Sequence, residues 1–139
     1  MLPALRVVAV LHALSFLLQP ILAGLFLSGQ DSAIDSHATN AGIVVLLCLI
    51  LTVLAFPAWR KDLLPRAAFT TSLSLLVAEG VQMYAGFAHL MWLHIPLGVV
   101  MMGGLATLMP LVMRPYKPAA VAAGSVGAVV AFPGAEAGE

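Results

Sequence analysis

Few side chains in this sequence can do chemistry, and most of them sit inside long apolar stretches. They are His12, His37, His89 and His94, with Gln19, Cys48, Glu79 and Gln82. A polar group held at membrane depth is costly unless it is paired or faces a cavity, so each needs a reason to be there. Helical phase sorts them. His12 and Gln19, seven apart, share one stripe; Ser72 and Glu79 share another, with Gln82 one turn on; His94, Gly98, Met101 and Leu105 define a face. His89 and His94 are separated by about 140° around a helix, so they do not share a ligand easily, and His94 is the inward-facing member. His37 and His94 then lie at similar depth on two helices, the arrangement in which neutral imidazoles ligate haem iron in a bundle. On this reading they hold a haem b. Gly98 lets a flat macrocycle approach the backbone, and Phe87, Trp92, Met101 and Met102 line it. Gln19, Glu79 and Gln82 orient a histidine ring or bind a water on the propionate side.

Plainer roles compete with these. A histidine near a membrane surface often snorkels toward headgroups, and His37 and His89 are placed for that. Glutamines join helices, glycines permit close packing, and methionines fill gaps more often than they bind copper. Glu79 has no Lys or Arg at its depth, so a histidine from the first, second or fourth helix is its available partner. Proton relay, quinone contact and a protonated acid bonded between helices all fit it.

The elements that position these groups follow from hydropathy. Of 139 residues, 62% are apolar and 9% charged, and the mean hydropathy is +1.07. Soluble domains carry about 25% charged residues, so too little polar surface exists here to face water all round. Four stretches are long enough to span a bilayer: about Val7 to Ser28, Ala38 to Trp59, Ala67 to Ala88 and Leu90 to Met113. Gly29 to Ser36 is a polar loop in which Asp35 or Ser36 can cap the second helix, and Arg60 to Arg66 is a short charged turn. The third break, near Gly86 to Leu90, is inferred from length. An unbroken helix from Ala67 to Met113 would run roughly 70 Å, more than twice the hydrocarbon thickness.

All six Lys and Arg (Arg6, Arg60, Lys61, Arg66, Arg114, Lys117) fall on one side of that topology, opposite Asp31 and Asp35. The positive-inside rule puts that side in the cytoplasm and favours an even number of spans. The expected fold is thus an all-α membrane protein, a four-transmembrane-helix antiparallel bundle with both termini inside. The apolar run of the first segment exceeds a signal-peptide core, so it is read as a span. Residues 118–139 form an Ala/Gly-rich C-terminal tail too short in its apolar part to cross, expected to lie along the interface or a partner chain. Zero formal net charge and the absence of a basic run argue against nucleic acid; one cysteine excludes an internal disulfide. No internal repeat or second domain is visible.

The series Gln19-Pro20-Ile21-Leu22-Ala23-Gly24, then Asp35-Ser36-His37, Gln82, and Leu93-His94-Ile95-Pro96-Leu97-Gly98 resembles a family of small bacterial four-helix membrane proteins of uncharacterised function, over roughly residues 5 to 115. That family carries a glycine one turn after the helix-two histidine; here Ala41 holds the offset and Gly42 follows. The layout is also similar to one half of haem A synthase, whose four-helix halves each carry a histidine pair on their second and fourth helices. This resemblance implies haem ligation by His37 and His94 in a bacterial inner membrane. The synthase reaction is not implied, because no outer-loop glutamate is present. Two functions follow as expectations: electron transfer near the outer leaflet, with a quinone or a larger redox complex as partner, or a cofactor-free accessory or assembly subunit packed on other membrane subunits or on a second copy.

Overall fold

The computed structural model describes residues 1–117. The expected tail over 118–139 lies outside the described residues. The described chain is all-helical: α1 (Leu2–Leu27), α2 (Ala33–Arg60), α3 (Arg66–Phe87) and α4 (Met91–Met113). Three of these, α1, α2 and α4, are long and apolar enough to cross a membrane. α3 is not among them, because Arg66, Glu79, Gln82 and the hydroxyls of Thr70, Thr71, Ser72 and Ser74 dilute its apolar character.

The helices start earlier than hydropathy suggests. α1 begins at Leu2 and α2 at Ala33, so His37 lies inside the second helix instead of opening it. Ser32, not Asp35 or Ser36, is the N-cap of α2, and no side chain caps it. At the other ends, three similar turns stop the chain. Gln30 N–H donates to the Leu25 carbonyl and Gly29 to Phe26; Leu63 donates to Ala58 and Asp62 to Trp59; Leu90 donates to Ala85 and His89 to Gly86. Each is a six-to-one plus five-to-two closure around a left-handed residue, and the φ angles are 94° at Gly29, 53° at Asp62 and 55° at His89. The third break inferred from length is therefore a defined helix stop with His89 at its pivot.

Neighbouring helices pack in sequence order, α1 on α2, α2 on α3 and α3 on α4, and only a thin seam joins α1 to α4. A core of Leu5, Ala9, Cys48, Leu51, Leu108 and Val112 fills one half of the bundle. There Arg6 Nε donates to the Val112 carbonyl at 3.2 Å, tying the start of α1 to the end of α4. Trp59 stacks on Phe69 at 5.5 Å, and the Arg60 and Arg66 guanidinium groups flank it at 5.8 and 6.0 Å. Valines and leucines such as Val7, Leu14, Ile21, Val53, Val77 and Val99 stay exposed around the outside, the pattern of a bundle whose solvent is lipid. Hydroxyls inside the helices return to their own backbone: Thr52 Oγ1 donates to the Cys48 carbonyl at 2.8 Å and Ser72 Oγ to Phe69 at 2.9 Å.

Candidate functional site

Away from the Leu5 core, the four helices leave a half-enclosed cavity of about 430 Å³, to which each of them contributes lining residues. His37, His94, Gln19, Gln82, Glu79 and Gly98 all contribute to its wall. The residues assigned chemistry by spacing are thus brought together. Met101 and Met102 line it as expected, whereas Phe87 and Trp92 are 67% and 75% exposed and take no part. His89, at the helix stop, is exposed on the surface.

The imidazoles of His37 and His94 face each other across the cavity, ring centroids 6.2 Å apart and planes inclined by 59°. Each is fixed through Nδ1. His94 Nδ1 lies 2.9 Å from the main-chain carbonyl of Gln82, and His37 Nδ1 lies 3.1 Å from that of Gln19. A carbonyl only accepts, so His94 donates through Nδ1–H and carries its lone pair on Nε2, as His37 does where its Nδ1 bonds to the Gln19 carbonyl. Neither Nε2 has a hydrogen-bond partner among the described residues. The glutamines act through their backbones here, and their side chains close the same turn. Gln82 Nε2 donates to the His94 carbonyl at 2.8 Å. With the Gln19 amide turned so that oxygen accepts from Ala41 N–H at 2.9 Å, its nitrogen donates to the His37 carbonyl at 3.2 Å. That nitrogen also stands 3.0 Å from His37 Nδ1, so Nδ1 has the Gln19 carbonyl to donate to or the Gln19 amide to accept from.

The two halves of the site are therefore one device used twice. In each helix pair a glutamine carbonyl holds the next helix's histidine, and the glutamine amide binds that histidine's own carbonyl. Small residues sit one turn beyond every member: Ala23 after Gln19, Ala41 after His37, Gly86 after Gln82 and Gly98 after His94. The reason is contact. A Cβ on Gly86 would stand 3.0 Å from His94 Cε1, and one on Gly98 would stand 3.1 Å from Gln82 Nε2. Gly98 thus seats the glutamine amide as well as lining the cavity. The repeat is invisible by period because glutamine and histidine are 18 residues apart in the first pair and 12 in the second.

One further group was placed only in part by spacing. Glu79, 3% exposed, meets His12 of the first helix, with Oε1 2.7 Å from Nε2. Cys48 Sγ joins them, and one donor atom from each of His12, Cys48 and Glu79 lies within 4.8 Å of the others. Asn40, which hydropathy passes over, donates from Nδ2 to the Ser15 carbonyl at 2.8 Å and adds a third α1–α2 tie beside the histidine and glutamine. No family model, curated protein or solved structure matches this chain.

Proposed function

We propose that the chain is an integral membrane protein that binds one haem b between His37 and His94 and carries single electrons across the outer part of the bilayer. The observation that supports this is the paired imidazoles, each tied by Nδ1 to a carbonyl and presenting an unused Nε2. The two ring centroids stand 6.2 Å apart, so one imidazole from each of two helices would be on hand to hold such a group. A carbonyl bonded to the far nitrogen also raises the basicity of the ligating one and prevents ring rotation. The cavity wall is mostly apolar and its volume falls in the size range of small-ligand sites. The group would supply reversible one-electron chemistry; the chain's own residues hold it, exclude water and set its orientation. His37 and His94 are its ligands, Gln19 and Gln82 position them, and Glu79 borders it.

In this reading α3 also spans, its polar groups turned to the cavity and to other helices, giving an antiparallel bundle of four. The cations at positions 6, 60, 61, 66, 114 and 117 support an orientation with both termini on the cytoplasmic side, and the membrane in this reading is a bacterial inner membrane. A lipid-soluble hydroquinone or a neighbouring redox subunit is the electron source. The test is the optical spectrum of the purified protein, oxidised and dithionite-reduced. A sharp α band in the reduced form, lost in His37→Ala and in His94→Ala, is expected. A folded, colourless preparation with no recoverable haem would leave the accessory-subunit role instead.

A further inference from the structure

The electron-carrier role leaves one buried titratable pair unused. Glu79 precedes Gln82 by one helical turn, and the Gln82 carbonyl holds His94; Glu79 also borders the cavity that both imidazoles face. Behind it His12 Nε2 lies 2.7 Å from Oε1, with the two side chains 0% and 2% exposed. The other heteroatom of each group, His12 Nδ1 and Glu79 Oε2, is buried and has no hydrogen-bond partner among the described residues. Gln82 Oε1 is bare too, and each such atom costs free energy, but only His12 Nδ1 and Glu79 Oε2 belong to titratable groups. They are also the two positions at which a proton can join or leave the pair.

No fixed cation balances the site. The groups facing the pair are His12 from α1, Cys48 from α2, and, across the cavity, His37 of α2 and His94 of α4. Every Lys and Arg lies at positions 6, 60, 61, 66, 114 or 117. Of these Arg6, the one on α1, is bonded to the Val112 carbonyl. In a low-dielectric interior, an electron added beside a carboxylate with no counter-charge is strongly opposed unless a proton arrives with it.

We propose that His12 and Glu79 form a proton-binding site that takes up one proton for each electron accepted between His37 and His94. This inference rests on the haem reading. The electron comes from a hydroquinone-class donor in the membrane, and the proton from that donor's hydroxyl or from water. A new O–H forms at Glu79 Oε2; the O–H that breaks is the donor's or a water's, no bond within the protein breaks, and both particles leave on reoxidation. His12 is the positioning partner that lets the carboxyl change charge without exposure to water.

The test is a redox titration of the full-length haem-loaded protein in lipid discs over a range of pH, with reduced-minus-oxidised infrared spectra. Coupling one proton to one electron makes each pH unit a tenfold change in the equilibrium, a fall of about 59 mV per unit. Glu79→Gln should flatten that slope and hold the potential near the wild-type value at low pH. In the infrared, reduction of the wild type should raise a protonated-carboxyl stretch. Asp35 also lies on a helix and a loaded haem b brings two propionates, so glutamate labelled with carbon-13 at its side-chain carboxyl should shift the band, which separates Glu79 from both even if the variant does not fold. A flat wild-type slope, a slope that survives in Glu79→Gln, or stoichiometric zinc or copper bound at His12, Cys48 and Glu79 overturns the proposal. Lack of the haem band removes the underlying reading as well; an intact band with a flat potential removes this one alone.

Discussion

At the scale of single residues, the site depends on backbone carbonyls more than on the side chains that advertise it. His37 and His94 were legible as a pair because two histidines at similar depth in an apolar chain stand out. What holds them was not legible. A main-chain acceptor has no residue type, so the Gln19 and Gln82 carbonyls leave no signature beyond the glutamines themselves, whose amides bind elsewhere. Glu79 could be expected to seek a histidine, but the choice of His12 depends on how far α1 slides along α3, which hydropathy does not resolve. The role of Gly86 follows from contact: His94 Cε1 and Nδ1 lie 3.0 and 3.2 Å from where its Cβ would be. Because the ring is held by the Gln82 carbonyl, it cannot swing aside at no cost. If His37 and His94 hold haem as proposed, Gly86→Val should displace His94 and abolish haem binding although both histidines are present, while the far-ultraviolet circular dichroism stays helical. Haem retained at wild-type stoichiometry would show that the His94 ring is not held as described.

At the scale of elements, helix interiors and most helix ends were readable, and the starts of α1 and α2 were not. Long apolar runs and Pro- or Gly-bearing breaks marked four segments, yet α1 and α2 begin five residues before the expected Val7 and Ala38. Polar residues such as Asp35 and Ser36 continue a helix as readily as they cap one when a closing turn lies upstream. The stops at Asp62 and His89 fall inside the expected breaks, but their residue types do not announce the turn that makes them. Both adopt a left-handed backbone usually given to glycine, at a cost of roughly 1–2 kcal/mol that packing must offset. The α3–α4 contact is close at Gly104, where a Cβ would fall 2.8 Å from Leu75 Cδ2 and 3.4 Å from Cγ. Gly104→Ala should cost about 1–3 kcal/mol by overpacking, and Leu75→Ala alone about 2–5 kcal/mol by leaving a cavity. Combined, they should cost less than their sum by about 1 kcal/mol or more, since the new methyl enters the space Leu75 vacates. Denaturant unfolding in detergent reads this coupling directly, and strict additivity would contradict the contact.

At the scale of the whole molecule, two helix pairs each carry a glutamine–histidine clasp and face each other across one cavity. Their unequal spacing, 18 and 12 residues, conceals the repeat from any search by period. The cation distribution gives the molecule its proposed sense in the membrane, and this is checkable apart from any cofactor. In a background with Cys48 replaced, a cysteine at Gln30 should react with an impermeant thiol reagent added outside intact cells, and one at Asp62 only after lysis. The opposite pattern would invert the bundle, and labelling of both would break the four-span topology. The central claim, that His37 and His94 ligate one haem iron, is tested most directly by electron paramagnetic resonance of the oxidised protein together with haem counted per chain. One haem per chain with a low-spin six-coordinate ferric signal, turning high-spin or vanishing in His37→Ala and His94→Ala, is the predicted result. A folded wild-type protein with no haem, or one whose low-spin signal survives loss of either histidine, would contradict the account.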